Sequence, residues 1–151
     1  TLPDGLVEGL VKSQEVEVAI TRENGYDAVG LADIAVVASG TATLETALLG
    51  VPMVIVYRLS FLSYWIGRAV VQVDHIGLVN LIAGREIVPE LIQGEATPER
   101  MADEAHRILT DRSRTEEIQK GLEEVRDLLG ETGASQRAAR LACEMIEAPR
   151  G

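Results

Sequence analysis

One cysteine, few aromatic residues, a shortage of positive charge and no apolar run long enough to cross a bilayer mark this 151-residue sequence. Cys143 alone cannot close an internal disulfide, and no signal-peptide pattern opens the chain, so a reducing, cytosolic setting is expected. Lys and Arg number 14 against 24 Asp and Glu, a formal net charge of -10. Phosphate-backbone binding calls for clustered cations, so a nucleic-acid partner is excluded as a first reading. Most of the few aromatics gather in residues 59–73, where Phe61, Tyr64 and Trp65 precede Ile66, Arg68, Val70 and Val71. At about 15 residues this stretch falls short of the roughly 20 that a spanning helix needs. Two readings of it stand: a helix buried against the sheet or a partner subunit, or an apolar surface that touches a membrane or a lipid substrate.

Several chemical signatures are missing too. His75 and His106 have no Cys, His or carboxylate at ligand spacing, so no metal site is expected; His106 reads as a helix-surface residue and His75 as a loop residue. No Ser-His-Asp or Cys-His arrangement is arguable, and Cys143, on a helical apolar face, is expected in the core. Neither a Walker loop nor Gly-x-Gly-x-x-Gly is present.

What is present organises around residues 34–45. The apolar run 34–38 stops at Ser39-Gly40-Thr41, and a helix-compatible stretch, 42–49, follows at once: strand, tight turn, helix. Small residues let a ligand approach the backbone, and the first amides of the helix lack internal partners and carry the positive end of its dipole. An anion suits that place, and Ser39, Gly40, Thr41 and Thr43 together suit a diphosphate. Glu45, one turn in, reads either as a carboxylate able to accept both hydroxyls of a ribose or simply as an acidic residue favoured by the helix dipole.

The rest of the chain alternates accordingly. Residues 6–13 form a short helix, 16–21 a strand closed by a turn, and 26–32 a brief helical turn before the 34–38 strand. Gly50 and Pro52 stop the second helix, 53–57 is the next strand, and Arg58 joins the turn at the carboxyl edge of the sheet. Residues 74–93 set Asn80, Arg85 and Glu86 among apolar neighbours beside Gly84, as a site-forming loop would. Thr97-Pro98 then starts a helix with Met101, Ala105, Ile108 and Leu109 as its apolar stripe; further helices span about 114–129 and 134–147. With 46% hydrophobic residues, one domain with a substantial core is expected. The chain lacks an initiator Met and begins like the middle of a longer protein, so it is read as an excised or trimmed domain.

Ser39-Gly40-Thr41-Ala42-Thr43-Leu44-Glu45, Gly50-Val51-Pro52-Met53-Val54, Tyr57-Arg58 and above all residues 80–93 closely resemble the C-terminal part of the lipid-A-disaccharide synthase family. The first motif is shared loosely by many GT-B glycosyltransferases, whereas Asn-Leu-x-Ala-Gly-Arg-Glu is far more specific. The resemblance implies a Rossmann-like parallel sheet flanked by helices, the C-terminal half of a GT-B fold, with a helical C-terminal extension. It implies an enzyme joining UDP-2,3-diacylglucosamine to 2,3-diacylglucosamine 1-phosphate with release of UDP, at the cytoplasmic face of a bacterial inner membrane. The UDP-sugar donor would meet Ser39, Gly40, Thr41 and Thr43 at its diphosphate and Glu45 at its ribose, with Arg58 at the same edge and Asn80, Arg85 and Glu86 on the donor side or the domain interface. The lipid acceptor and the general base would belong to an N-terminal domain outside residues 1–151, so this chain alone is expected to be inactive. No cofactor or metal is called for. Family members are expected to form a subunit-swapped dimer, and Phe61, Tyr64 and Trp65 would meet a subunit, acyl chains or the membrane. The competing readings are another UDP-sugar GT-B enzyme, a UDP-sugar epimerase, or a non-catalytic α/β interaction module.

Overall fold

The computed structural model describes residues 5–13, 16–59, 75–130 and 133–147. Its centre is strand β2, Met53–Tyr57, an uninterrupted apolar run whose Met53, Val54 and Ile55 are at most 1% exposed. Such a run suits a strand covered on both faces. Strand β1, Ala35–Ala38, lies parallel on one side in the register Ala35 to Met53 through Ala38 to Val56, and strand β3, Glu90–Ile92, lies parallel on the other, opposite Ile55 to Tyr57.

Helices surround this sheet. Helix α1 spans Leu6–Lys12 and α2 spans Gly25–Gly30; α3, Thr41–Leu48, connects β1 to β2. Gly50, at φ 73°, ends α3 in a left-handed turn in which its amide donates to Ala47 O and that of Val51 to Thr46 O. Helix α4, Leu78–Ala83, ends at Gly84 with φ 66° and leads into β3. A short 3-10 turn at Gln93–Glu95 follows, then α5, Pro98–Thr110, capped by Thr97. Asp111 caps α6, Arg112–Leu129, by accepting the Arg114 amide at 3.2 Å, and α7 is Ala134–Glu147. The Ile118, Leu122 and Val125 stripe of α6 is buried, and this helix packs against α3, α4 and α5 to close the core on β2. The α/β, Rossmann-like class is therefore that expected from the alternating pattern.

Four expectations are corrected. Residues 16–21 are not a strand: Val16, Val18 and Ile20 alternate as a strand would but are 68%, 49% and 40% exposed, and among the described residues nothing pairs with them or with the outer edge of β1. A lone strand has no ladder to satisfy its backbone. Residues 78–83, read within a loop, are helical, because the apolar Val79, Ile82 and Ala83 bring one side of α4 onto the core. Leu109 is 55% exposed, outside the Met101 and Ile108 stripe. Cys143 is exposed rather than in the core, as are Leu141, Met145 and Ile146, since α7 contributes no buried residue among those described. The expectations for Phe61, Tyr64, Trp65 and the rest of residues 60–74 lie outside the described residues. No helix among the described residues is long and apolar enough to cross a membrane.

Candidate functional site

The turn between β1 and α3 stands at the carboxyl edge of the sheet, where open α/β folds receive ligands. Ser39 continues the ladder by one bond, its amide donating to Val56 O at 2.9 Å. The chain then swings through Gly40 at φ 150° and ψ -163°, a combination that essentially only glycine adopts. A Cβ placed there would meet nothing within 4 Å, so the glycine is needed for its backbone angles and leaves open space in front of the turn. Thr43 closes the turn from behind: its amide donates to Gly40 O at 3.1 Å and its hydroxyl to the same oxygen at 2.7 Å. Thr41 and Ala42 are exposed, and no helical carbonyl reaches their amides.

The three hydroxyls expected at a diphosphate are thus in different states. Thr43 is fully buried and its proton is committed to Gly40, which turns its side chain away from any ligand. Ser39 is half-buried and donates to Ile76 O at 3.2 Å. The Thr41 hydroxyl alone stands on an exposed residue.

Glu45 lies in the second turn of α3, exposed, and accepts a hydrogen bond from the Tyr26 hydroxyl of α2. That bond first, then the charge of Glu45, then slight desolvation raise the Tyr26 phenol above its ordinary pKa. The pair borders a groove of about 430 Å³ along β1, lined by Val29, Val36, Ala38, Ala42 and Leu49. Arg58 is exposed just beyond β2, and the next amide, Leu59, donates to Gln93 Oε1 at 2.8 Å, tying the exits of β2 and β3 together.

Asn80, Arg85 and Glu86 do not gather at the turn. Asn80 is fully buried, and all four of its side-chain bonding positions are taken: Nδ2 donates to Val88 O at 2.8 Å and Glu90 Oε1 at 2.7 Å, while Oδ1 accepts the Ile87 and Val88 amides at 2.8 and 3.1 Å. It stitches α4 to the strand entering the sheet. Arg85 and Glu86 follow the far end of α4, about 9 Å along its axis from the end that faces Ser39. Both are exposed there, and Arg85 pairs with Glu124 of α6.

Sequence reasoning passed over Glu90. Its side chain is 7% exposed at the start of β3, and its carboxylate accepts the Ile76 amide at 2.9 Å, the Gly77 amide at 3.1 Å and Asn80 Nδ2. A signal was available: a carboxylate between Val88-Pro89 and Leu91-Ile92, in a segment of buried apolar residues, must find compensating donors.

A parallel sheet, a glycine-only turn at its carboxyl edge and a helix starting with free amides define a Rossmann-like module of the kind that holds nucleotide-linked ligands. The family model described as lipid-A-disaccharide synthetase matches residues 6–145, and the chain belongs to that family. It is 52% identical over 138 residues to the lipid-A-disaccharide synthase of Syntrophus aciditrophicus, covering 91% of this chain and 36% of the relative. The synthases of Geobacter metallireducens and Myxococcus xanthus are 44% and 51% identical, over 97% and 80% of this chain and 38% and 31% of their own lengths. The chain thus spans about a third of the length of the curated relatives it matches.

Proposed function

We propose that these residues are the donor-binding half of a glycosyltransferase that joins UDP-2,3-diacylglucosamine to 2,3-diacylglucosamine 1-phosphate and releases UDP. Membership of the synthetase family, together with a turn whose backbone only Gly40 permits, supports this most directly. In the transfer, an acceptor hydroxyl forms the new C–O bond at the donor's anomeric carbon as the bond to UDP breaks and its electron pair leaves with the diphosphate. A general base takes the hydroxyl proton. This chain's share is to hold the leaving group: the free amides and hydroxyl after Gly40, with the α3 dipole behind them and the Arg58 cation across the edge, favour the charge that develops on UDP. Glu45 would take the ribose hydroxyls, exchanging its Tyr26 bond for them.

The base and the lipid-acceptor site are assigned to the part of the relatives that this chain does not span. The two reactants must be held in one geometry, so residues 1–151 alone would not turn over. Arg85 and Glu86, on the α6 side, suit the interface between the halves. Phe61, Tyr64 and Trp65 would supply contact with acyl chains, the membrane surface or a second subunit of a dimer, in keeping with a peripheral place at the cytoplasmic face of the inner membrane.

An NMR titration of this chain with UDP tests the donor site. The amides of residues 40–43 shift and those of α7 do not; absence of any response at millimolar UDP rules the donor site out.

A further inference from the structure

Ser39 has no donor left for a ligand. Its amide is taken by Val56 O at 2.9 Å and its hydroxyl proton by Ile76 O at 3.2 Å. The carbonyl that receives this hydroxyl belongs to the peptide group joining Ile76 to Gly77, and the N–H of that same group donates to Glu90 Oε1 at 3.1 Å. One peptide group therefore bridges a nearly buried carboxylate and the first residue of the turn. The approach is close by necessity: a Cβ on Gly77 would lie 2.4 Å from Ile55 Cδ1 and 3.0 Å from Glu90 Oε1. Glu90 is held in turn by Asn80 Nδ2 at 2.7 Å and the Ile76 amide at 2.9 Å, and His75 Nδ1 stands 4.0 Å from Oε1.

We propose that Glu90, acting through the 76–77 peptide, is a positioning residue that fixes Ser39 and hence the donor turn, and that Ser39 is a tether of that turn rather than a contact to the diphosphate. A carboxylate on the N–H end of a peptide polarises it and strengthens its carbonyl as an acceptor for Ser39 Oγ. The anchored Ser39 holds Gly40 in its extended glycine-only conformation, so the amides of Thr41 and Ala42 are presented without having to be ordered when the ligand arrives. The network that includes Asn80 thus serves the donor site from behind. This assignment rests on the donor reading given above for its ligand but not for its hydrogen-bond relay.

The two are separated in one experiment on the 151-residue chain. In the absence of ligand, Ser39→Ala, at a half-buried turn position, moves the Gly77 amide resonance, and Glu90→Gln moves those of Ser39 and Gly40. A Gly77 resonance unmoved by Ser39→Ala overturns the relay, whether or not Glu90→Gln folds and whether or not UDP binds. With UDP, each single variant raises the dissociation constant about tenfold. The double variant raises it by about the same tenfold, since both cut one path. Multiplicative loss, or a Glu90→Gln chain with a lower melting point but unchanged UDP affinity, reduces Glu90 to a fold residue and overturns the proposal. A wild-type chain that ignores UDP overturns the donor reading alone, and the ligand-free shifts still decide the relay.

Discussion

Removing the Asn80 side chain tests whether the stretch that begins at Asn80 is scaffold or contact surface. Asn80→Ala leaves the Ile87 and Val88 amides, now bonded at 2.8 and 3.1 Å, without acceptors in a region where both residues are buried. Each unsatisfied buried donor costs about 1–3 kcal/mol, so a loss of about 3 kcal/mol is expected for the pair. For a chain of this size that corresponds to a melting point lowered by about 6–12 °C. Asn80→Asp sharpens the test because it keeps the shape and the Oδ1 acceptor. Its second oxygen meets Val88 O and Glu90 Oε1, which Nδ2 now serves as donor at 2.8 and 2.7 Å. Three acceptors face one another unless a proton joins them. The introduced carboxyl therefore has a folded-state pKa raised above its unfolded value, and the stability it allows is present at low pH and lost as pH rises through the folded pKa. Thermal melts between pH 4 and pH 8 should show Asn80→Asp recovering relative to Asn80→Ala as pH falls. Melting points within a degree of wild type for Asn80→Ala, with UDP binding abolished, would refute the scaffold role and return Asn80 to the ligand surface.

Other consequences are checked as directly. Gly121→Ala on α6 puts a Cβ 2.4 Å from Ile87 Cγ2, so overpacking of about 1–3 kcal/mol outweighs the gain of about 1 kcal/mol in helix propensity. The substitution should cost less in an Ile87→Ala background, and additive losses in urea melts would contradict the contact. The Tyr26 phenol, raised by its bond to Glu45, should titrate above the ordinary value of 10.0 by ultraviolet difference against Tyr26→Phe. The bond is present below that pH and is lost as pH rises through the folded pKa; Glu45→Ala should bring the midpoint down, and an unmoved midpoint would break the pairing. Finally, this chain should form no disaccharide from the two diacylglucosamine substrates, as read by mass spectrometry; clear turnover would show that the proposed division of labour is mistaken.

The period of the apolar residues revealed most of the fold. Residues 34–38 and 53–57 are continuous runs and form adjacent strands; Thr97-Pro98 and Gly50 mark helix ends through chemistry that acts locally. Residues 16–21 carry an equally plain strand signal and form none, because a strand exists only with a partner and pattern alone does not supply one. Cys143 fails for a related reason: an apolar helix face predicts burial only if something packs against it. At the candidate site, the turn and its glycine could be read from residue types, since small residues between strand and helix have few other uses. The direction of each hydroxyl could not. Ser39 and Thr43 look equivalent in one dimension, yet one donates to a loop 37 residues away and the other to its own turn.

The same distinction bears on Asn80, Arg85 and Glu86, which do not gather at the turn between β1 and α3. A turn of small residues can be built in many folds; its amides become a site only when their direction is fixed before the ligand comes. The fixing here is long-range: Glu90 on β3 grips the 76–77 peptide, that peptide grips Ser39, and Asn80 holds Glu90 while ordering the strand that carries it. Each of these contacts demands a particular donor or acceptor at a particular reach, and Gly77 is required for the space between them. The short turn therefore depends on residues that are distant in sequence, and replacing Glu90, Gly77 or Ser39 singly should disturb the same hydrogen-bonded path.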